Sequence, residues 1–121
     1  MIVERPEPPV VGKVTHHSIE LEWSHVKDRL APSKRFRFTI QESDLTRRDW
    51  STVYSGYGTY TTIENLEPST EYNYRLCIIN AENERSEFSQ AVVIRTTSEF
   101  LFFIFFVGRL NIFILKIISI K

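Results

Sequence analysis

Residues 72–78 of this chain alternate between large apolar and mostly polar side chains over seven positions, Tyr-Asn-Tyr-Arg-Leu-Cys-Ile. Successive side chains of a β-strand point to opposite faces of the sheet, so this spacing places two tyrosines, a leucine and an isoleucine on one face. A helix would spread the same side chains around its axis. We therefore expect a strand with one face buried, the longest such strand in the chain.

The same alternation recurs at Ser18–Trp23 and at Phe36–Gln41. Four shorter segments bounded by turn residues complete the pattern, at 10–15, 50–54, 60–63 and 91–97. No segment of residues 1–99 has the 3.6-residue period of an amphipathic helix. About seven short strands in succession predict an all-β fold, a seven-stranded antiparallel Greek-key sandwich.

The predicted core consists of the apolar residues on the inward faces of these strands and in the turns next to them. These residues are Val14, Ile19, Leu21, Trp23, Phe36, Phe38, Ile40, Val53, Ile63, Leu66, Tyr72, Tyr74, Leu76, Ile78, Val92 and Ile94. Each buried side chain of this kind contributes about 1.5–3 kcal/mol before the entropy cost of folding.

The stretch Leu66-Glu67-Pro68-Ser69-Thr70-Glu71-Tyr72 is the most specific in the chain. Pro68 favours a turn, and the Thr70 hydroxyl can hydrogen-bond within it. Tyr72 then enters the next strand with its ring in the core. Its hydroxyl can reach back to the backbone near Leu66, which is the tyrosine corner of Greek-key sandwiches.

Together these features resemble the fibronectin type III family over about residues 6–98. The resemblance is carried by a proline-rich start, by Ile-x-Leu-x-Trp ending at Trp23, by Phe-x-Phe-x-Ile ending at Ile40, and by Leu66, Pro68, Thr70 and Tyr72. It implies an immunoglobulin-like sandwich that binds proteins through its loops and sheet edges and performs no catalysis.

The stretch from Pro8 to Leu21 is most similar to a subgroup of the family in which ankyrin repeats follow this domain. That resemblance implies a regulatory protein of the cytoplasm and nucleus, associated with male germ cells. No ankyrin repeat follows in the sequence, so we expect a truncated form of such a protein.

Charge and cysteine content favour an intracellular protein that does not bind nucleic acid. Residues 1–99 contain 12 Lys and Arg against 15 Asp and Glu, so no strongly basic surface is expected. Cys77 is the single cysteine, which excludes an internal disulfide. The absence of an apolar leader at residues 1–6 and of any Asn-x-Ser/Thr site also favours a reducing compartment.

No catalytic, cofactor or metal motif is recognisable, so we expect a protein that is not an enzyme and has no cofactor. His16 and His17 are adjacent, and we expect them to be surface or turn histidines, because strand geometry would direct them to opposite faces and away from a shared metal ion. Cys77 is expected to be a half-buried, unreactive thiol. Ser86–Ser89 occupies the place of the Trp-Ser-x-Trp-Ser box of cytokine receptors, but both tryptophans are missing, which excludes that class.

Candidate partner contacts therefore lie in the predicted loops 25–35 and 80–89 and in the glycine turn 55–58. The basic cluster of the first loop is either a solvated surface or the contact for an acidic partner. The candidate residues are Lys27, Arg29, Lys34, Arg35, Tyr57, Asn83, Arg85 and Phe88. The identity of the protein partner does not follow from the sequence.

The tail, residues 99–121, differs from the rest of the chain because it is mostly Phe, Ile and Leu. Phe100–Ile118 has the length of a membrane-spanning helix, the only route by which we expect a membrane contact. Arg109 at its centre makes insertion marginal, at a cost of about 2.5–3.5 kcal/mol. Residues with A/T-only codons make up 18 of the last 22, as in a translated non-coding extension.

We therefore predict three regions: a proline-rich lead-in (1–9), a fibronectin type III domain (10–98) and a hydrophobic tail (99–121). The tail is an extension, an anchor in an intracellular membrane or the stem of a receptor. The expected function is a non-catalytic, intracellular protein-interaction module. The alternative is a single-pass or tail-anchored membrane protein that presents the same domain.

Overall fold

The computed structural model describes residues 3–44, 49–98, 100–107 and 111–119. Within them, nine strands and one short helix follow in chain order: β1 (Val10–Val14), β2 (Ile19–Glu22), α1 (Ser24–Lys27), β3 (Arg37–Asp44), β4 (Ser51–Gly56), β5 (Tyr60–Ile63), β6 (Glu71–Ile79), β7 (Val92–Arg95), β8 (Phe100–Val107) and β9 (Asn111–Ser119).

Seven of these strands form the two layers of a sandwich. One sheet has the order β1-β2-β5 and the other the order β4-β3-β6-β7, and all neighbours are antiparallel. Strands β3 and β6 are the longest pair, in register from Arg37 opposite Ile79 to Asp44 opposite Tyr72. The predicted all-β antiparallel sandwich is confirmed.

The core lies between the two sheets, as the alternation predicts. Thirteen of the sixteen predicted core residues are buried, and Val14, Val53 and Val92 are half-buried against them. Trp23 occupies the centre, fully buried, with its ring centroid 5.3 Å from that of Tyr54 and 6.3 Å from that of Phe38. The sequence reasoning missed Val3, Val26, Cys77 and Ile79, which are also buried.

The predicted strand Phe36–Gln41 is too short at its end, because β3 continues through the polar residues after Gln41 to Asp44, alongside β6. This extension buries Glu42, whose Oε2 accepts a 2.7 Å hydrogen bond from the hydroxyl of Tyr74. Burial and this carboxylate raise the pKa of Tyr74 above its usual range, so the hydroxyl remains a donor at neutral pH. The hydrogen bond from the Tyr74 hydroxyl explains why the polar segment around Glu42 remains in strand β3.

The predicted loop at 25–35 is also wrong at its start, because α1 forms a single helical turn there. The amide of Asp28 donates to the carbonyl of Ser24 at 2.9 Å, and Val26 is buried. Val26 is the one apolar residue among charged neighbours, and the turn directs it into the core. One turn is too short to give a periodic signal in the sequence.

The segment before β6 forms the expected corner. The hydroxyl of Tyr72 accepts a hydrogen bond from the amide of Glu67 at 2.8 Å, and the hydroxyl of Thr70 donates to the carbonyl of Pro68 at 2.8 Å. Thr96 of the segment after β7 closes the corner, donating to the carbonyl of Glu67 at 2.6 Å. The bonds join the crossing between the sheets to the last strand of the sandwich.

The membrane-helix interpretation of the tail requires a helix over Phe100–Ile118. Instead, β8 and β9 pair with each other in a separate antiparallel sheet, from Phe100 opposite Ser119 to Val107 opposite Asn111. Aromatic and β-branched residues dominate both segments, and these residue types favour strands. None of the helices in the described part of the chain has the length and apolar character needed to cross a membrane. Arg109 lies outside the described residues.

Replacement of Tyr72 by Phe is expected to lower the free energy of unfolding by about 1 kcal/mol or more, because the amide of Glu67 loses its acceptor. Urea denaturation measures the change. Tyr60→Phe is the matched control, since Tyr60 is exposed and its hydroxyl bonds to that of Thr62 in the same strand. Equal midpoints for the two variants would contradict the role of the corner.

Candidate interaction site at one end of the sandwich

Three connections meet at one end of the sandwich, which we call the loop end: residues 23–36, 57–59 and 80–91. The strand register brings them together. Arg37 at the start of β3 lies opposite Ile79 at the end of β6, and Phe38 lies opposite Gly56 at the end of β4. The loop end therefore contains all three segments in which partner contacts are predicted.

The connection between β4 and β5 is joined directly to the core. The indole nitrogen of Trp23 donates to the carbonyl of Gly58 at 2.9 Å, and its backbone amide donates to the carbonyl of Thr59 at 2.7 Å. The Tyr54 hydroxyl accepts from the amide of Gly58 at 2.9 Å. A Cβ atom added at Gly56 or Gly58 would lie 2.8 Å from that hydroxyl, so a side chain at either position would force the Tyr54 hydroxyl to shift.

The main concave feature of the loop end is a cleft of about 590 Å³ between residues 27–36 and Tyr57, which we call the basic cleft. Its floor includes Phe36 and Phe38, and its rim carries Lys27, Lys34 and Arg35. Tyr57 forms one wall with 48% of its surface exposed. The guanidinium carbon of Arg35 lies 4.0 Å from the centre of the Tyr57 ring, which joins the two sides of the cleft.

Two smaller hollows lie on the other side of Arg35, against residues 80–83. One, of about 180 Å³, is lined by Arg35, Arg37, Tyr57, Asn80, Ala81 and Asn83. The other, of about 270 Å³, shares Arg35 and includes Lys34 and Glu82. The Arg35 side chain therefore borders the basic cleft and both of these smaller hollows.

Hydrogen bonds from Asn80 order the turn that follows β6. The Asn80 side-chain carbonyl accepts from the amides of Glu82 and Glu84 at 3.0 and 2.8 Å, and its amide group donates to the Glu84 carboxylate at 2.7 Å. This last bond is the main reason that the pKa of Glu84 is lowered. The turn thus has a defined shape in the absence of a partner.

Two serines attach the rest of this connection to β6. The hydroxyl of Ser86 accepts from the amide of Ile78, and that of Ser89 accepts from the amide of Leu76, both at 2.9 Å. The segment covers Cys77, whose thiol lies 3.4 Å from the carbonyl of Ser86. The expectation of a half-buried thiol is therefore wrong, since Cys77 is fully buried.

Arg75 forms a stack that the sequence reasoning did not identify. Its guanidinium carbon lies 4.0 Å from the ring centres of both Trp50 and Phe88, and its Nε and Nη2 donate to Gln41 Oε1 at 3.0 and 2.7 Å. The stack joins the connection 80–91 to the outer face of the sheet. A signal was present in the sequence, since alternation places Arg75 on the outer face of β6.

The structure brings four of the eight predicted contact residues together in the basic cleft: Lys27, Lys34, Arg35 and Tyr57. Asn83 lies nearby in the smaller hollow. Three others lie apart from the cleft. Arg29 is 3.8 Å from Glu7 of the lead-in, Arg85 is exposed opposite Ile79, and the ring of Phe88 is occupied by Arg75.

The described residues contain no group of three or more His, Cys, Asp or Glu side chains suited to a metal ion. His16 and His17 lie in the turn between β1 and β2, with their rings in edge-to-face contact at 4.4 Å. The expectation of surface or turn histidines is confirmed, whereas the strand geometry that would direct the two rings to opposite faces does not apply at these positions.

The seven-stranded sandwich with its tyrosine corner defines the class of protein: a two-sheet, Greek-key domain of the immunoglobulin type. The family model for the fibronectin type III domain matches residues 4–95. The chain belongs to the fibronectin type III family, whose fold is non-enzymatic and whose members generally mediate protein interactions.

Two similar proteins combine this domain with ankyrin repeats. The human fibronectin type 3 and ankyrin repeat domains protein 1 is 45% identical over 98 residues, which cover 78% of this chain and 28% of the relative. The mouse protein is 42% identical over 100 residues, covering 80% of this chain and 29% of the relative. The chain thus spans less than a third of the length of these curated relatives.

Solved structures show the same fold. A fibronectin type III domain of human fibronectin type III domain containing protein 3 superposes with a TM-score of 0.69 at 22% identity, covering 80% of this chain and 88% of that domain. Module A71 of titin from human cardiac muscle superposes with a TM-score of 0.64 at 20% identity, covering 78% of this chain and 92% of the titin module. At this level of identity the likeness establishes the fold alone.

The contact between Arg75 and Phe88 is expected to contribute about 0.5–1 kcal/mol to stability, as measured by a double-mutant cycle of Arg75→Gln and Phe88→Leu. Leucine keeps an apolar contact and removes the aromatic face. A second cycle, Arg95→Gln with Phe88→Leu, is the control and should be additive, because Arg95 pairs with Glu71 instead. If the effects of Arg75→Gln and Phe88→Leu on stability are also additive, the two side chains are not energetically coupled and the prediction is wrong.

Proposed function

We propose that this chain is a non-catalytic module that binds a protein partner at its loop end. The observation that carries the proposal is the basic cleft, which combines an apolar floor with three cationic side chains on its rim. Apolar lining with a few placed polar groups is typical of binding surfaces.

The construction of the loop end supports this proposal. The Tyr57 ring is nearly half exposed, yet the turn on which it lies is hydrogen-bonded to Trp23 and Tyr54. Exposed aromatic and arginine side chains on a rigid support are the usual anchors of protein interfaces. These side chains are already ordered by the fold. Binding of a partner would therefore cost little additional conformational entropy.

An intracellular setting in the cytoplasm, the nucleus or both is the second part of the proposal. It is supported by the likeness to two proteins whose names join this domain to ankyrin repeats. The absence of a cysteine pair in the sequence agrees with a reducing compartment. A regulatory role in male germ cells, implied by the resemblance in the sequence, belongs to the same proposal.

Site-specific photo-cross-linking in male germ cells tests the interaction. The full chain carries a benzophenone amino acid in place of Lys34 in one version and of Lys13 in the other. Lys34 lines the basic cleft, whereas Lys13 is an exposed residue of β1 and serves as the matched control. We expect a discrete adduct, identified by mass spectrometry, from position 34 and none from position 13.

The same adducts from both positions, or from neither, would contradict binding at the loop end. Fractionation of the cross-linked cells tests the location: we expect the adduct in the cytosolic or nuclear fraction. Recovery of the chain in a carbonate-resistant membrane pellet that depends on residues 100–121 would overturn the proposed location and support an intracellular membrane.

A further inference from the structure

We infer that the partner presents an acidic segment to the loop end, and that one carboxylate of this segment is held between Arg35, Arg37 and Asn83. The inference rests on the proposed function and adds the chemistry of the partner to it. Its basis is the hollow of about 180 Å³ that these three residues share with Tyr57.

Arg35 is oriented for this contact before a partner arrives. The Tyr57 ring covers one face of its guanidinium at 4.0 Å. Stacking uses the face of the guanidinium plane and leaves the N–H donors, which lie in that plane, available for oxygen acceptors. A carboxylate matches this fork in geometry and charge, because its two oxygens can accept two parallel hydrogen bonds.

Arg37 provides the second observation. Its buried Nε atom has no hydrogen-bond acceptor among the described residues. A buried donor of this kind costs free energy unless a bound group supplies the acceptor. Arg37, the first residue of β3, and Arg35, two residues before it, line the same hollow, so a single anion can contact both.

Asn83 completes the hollow from the opposite side. It adopts a left-handed backbone conformation, with φ of 63°, which asparagine tolerates better than most residues. Its amide donates to the carbonyl of Asn80 at 3.0 Å, so the position of the turn is set by bonds within the chain. None of the described residues that line this hollow is acidic, while the Glu84 carboxylate bonds to the Asn80 side chain at 2.7 Å and Glu82 lines the adjacent hollow.

The charge of the loop end differs from that of the whole domain. The basic cleft and the two smaller hollows together are lined by four cationic residues and by the carboxylates of Asp28 and Glu82. Residues 1–99 instead contain more acidic than basic residues, 15 against 12. An acidic segment would thus be attracted to this end and repelled by much of the remaining surface.

We call the hollow lined by Arg35, Arg37 and Asn83 the carboxylate hollow. The basic cleft lies beside it and selects the partner residue that is next to the carboxylate. Arg35 and Tyr57 separate the two spaces, and the cleft presents Leu30 and Phe36. A leucine or similar side chain next to the acidic residue can therefore enter the cleft while the carboxylate meets the arginines. The inferred recognition element is an apolar residue flanked by Asp or Glu.

Fluorescence anisotropy with the full chain tests the inference. The probe is a fluorescein-labelled peptide, Gly-Glu-Asp-Leu-Glu-Asp-Gly, at about 0.15 M salt. We expect saturable binding that Arg35→Gln and Arg37→Gln each weaken about tenfold or more, since each removes a charge-assisted hydrogen bond. Arg95→Gln, at the opposite end of the sandwich, is the matched control and should leave the affinity unchanged.

Three further variants and probes make the test specific. Arg35→Lys keeps the charge and removes the fork, so it should still weaken binding severalfold. Asn83→Gly, which removes the side chain and keeps the left-handed backbone, should also weaken binding, and it keeps the test valid if Arg37→Gln fails to fold. A probe with glycine in place of leucine should bind more weakly, because the cleft stays unfilled.

Full affinity in Arg35→Lys, or equal losses in Arg35→Gln and Arg95→Gln, would overturn the carboxylate hollow. Equal binding of a probe with lysines in place of its acidic residues would do the same, and so would binding only after phosphoserine replaces glutamate. If cross-linking at position 34 identifies a partner but the acidic probe does not bind, this inference fails and the proposed function remains. If no adduct forms, the proposed function itself fails.

Discussion

The rest of the structure depends on the contacts that the indole of Trp23 makes. The side chain is fully buried between the two sheets, and its ring meets Tyr54 and Phe38 of the opposite sheet. Its nitrogen donates to the carbonyl of Gly58, at the edge of the core. A single residue thereby joins the hydrophobic core to the turn that carries Tyr57.

This connection explains how a small domain can present an ordered surface at its loop end. Tyr57 is positioned by Trp23 and Tyr54 from below, and it positions Arg35 from the side. On the other flank, the Arg75 stack and two serine hydroxyls attach residues 80–91 to β6. The loop end is thus supported by contacts that also stabilise the sandwich, and its shape follows from the fold.

The sequence predicted the fold well because the signals for it are local. Alternation in segments such as Tyr72–Ile78 gives the inward face of each strand directly, and the corner at Leu66–Tyr72 requires only residues near each other in the chain. The failures at Glu42 and Val26 have another cause. Glu42 stays in its strand because of the Tyr74 hydroxyl, 32 positions away, and Val26 is buried by one turn of helix too short to show a period.

The candidate site could be predicted only in part, for the same reason. Loop position identified the basic residues and Tyr57, whereas their arrangement around Arg35 depends on three connections that meet only in the folded chain. Alternation in β6 places Arg75 on the outer face of the sheet, but its contacts with Trp50 and Phe88 join separate segments and could not be predicted from any one of them. Pairings between distant segments were therefore the part that the sequence did not reveal.

The most direct test of this account is the ¹⁵N relaxation of the backbone amides of Tyr57, Gly58 and Thr59. These amides should be as ordered as the strands, because Trp23 and Tyr54 hydrogen-bond to Gly58 and Trp23 also bonds to Thr59. We predict order parameters of about 0.85, the usual value for rigid backbone. Values below about 0.6 would show a flexible turn and would contradict a loop end supported by the core.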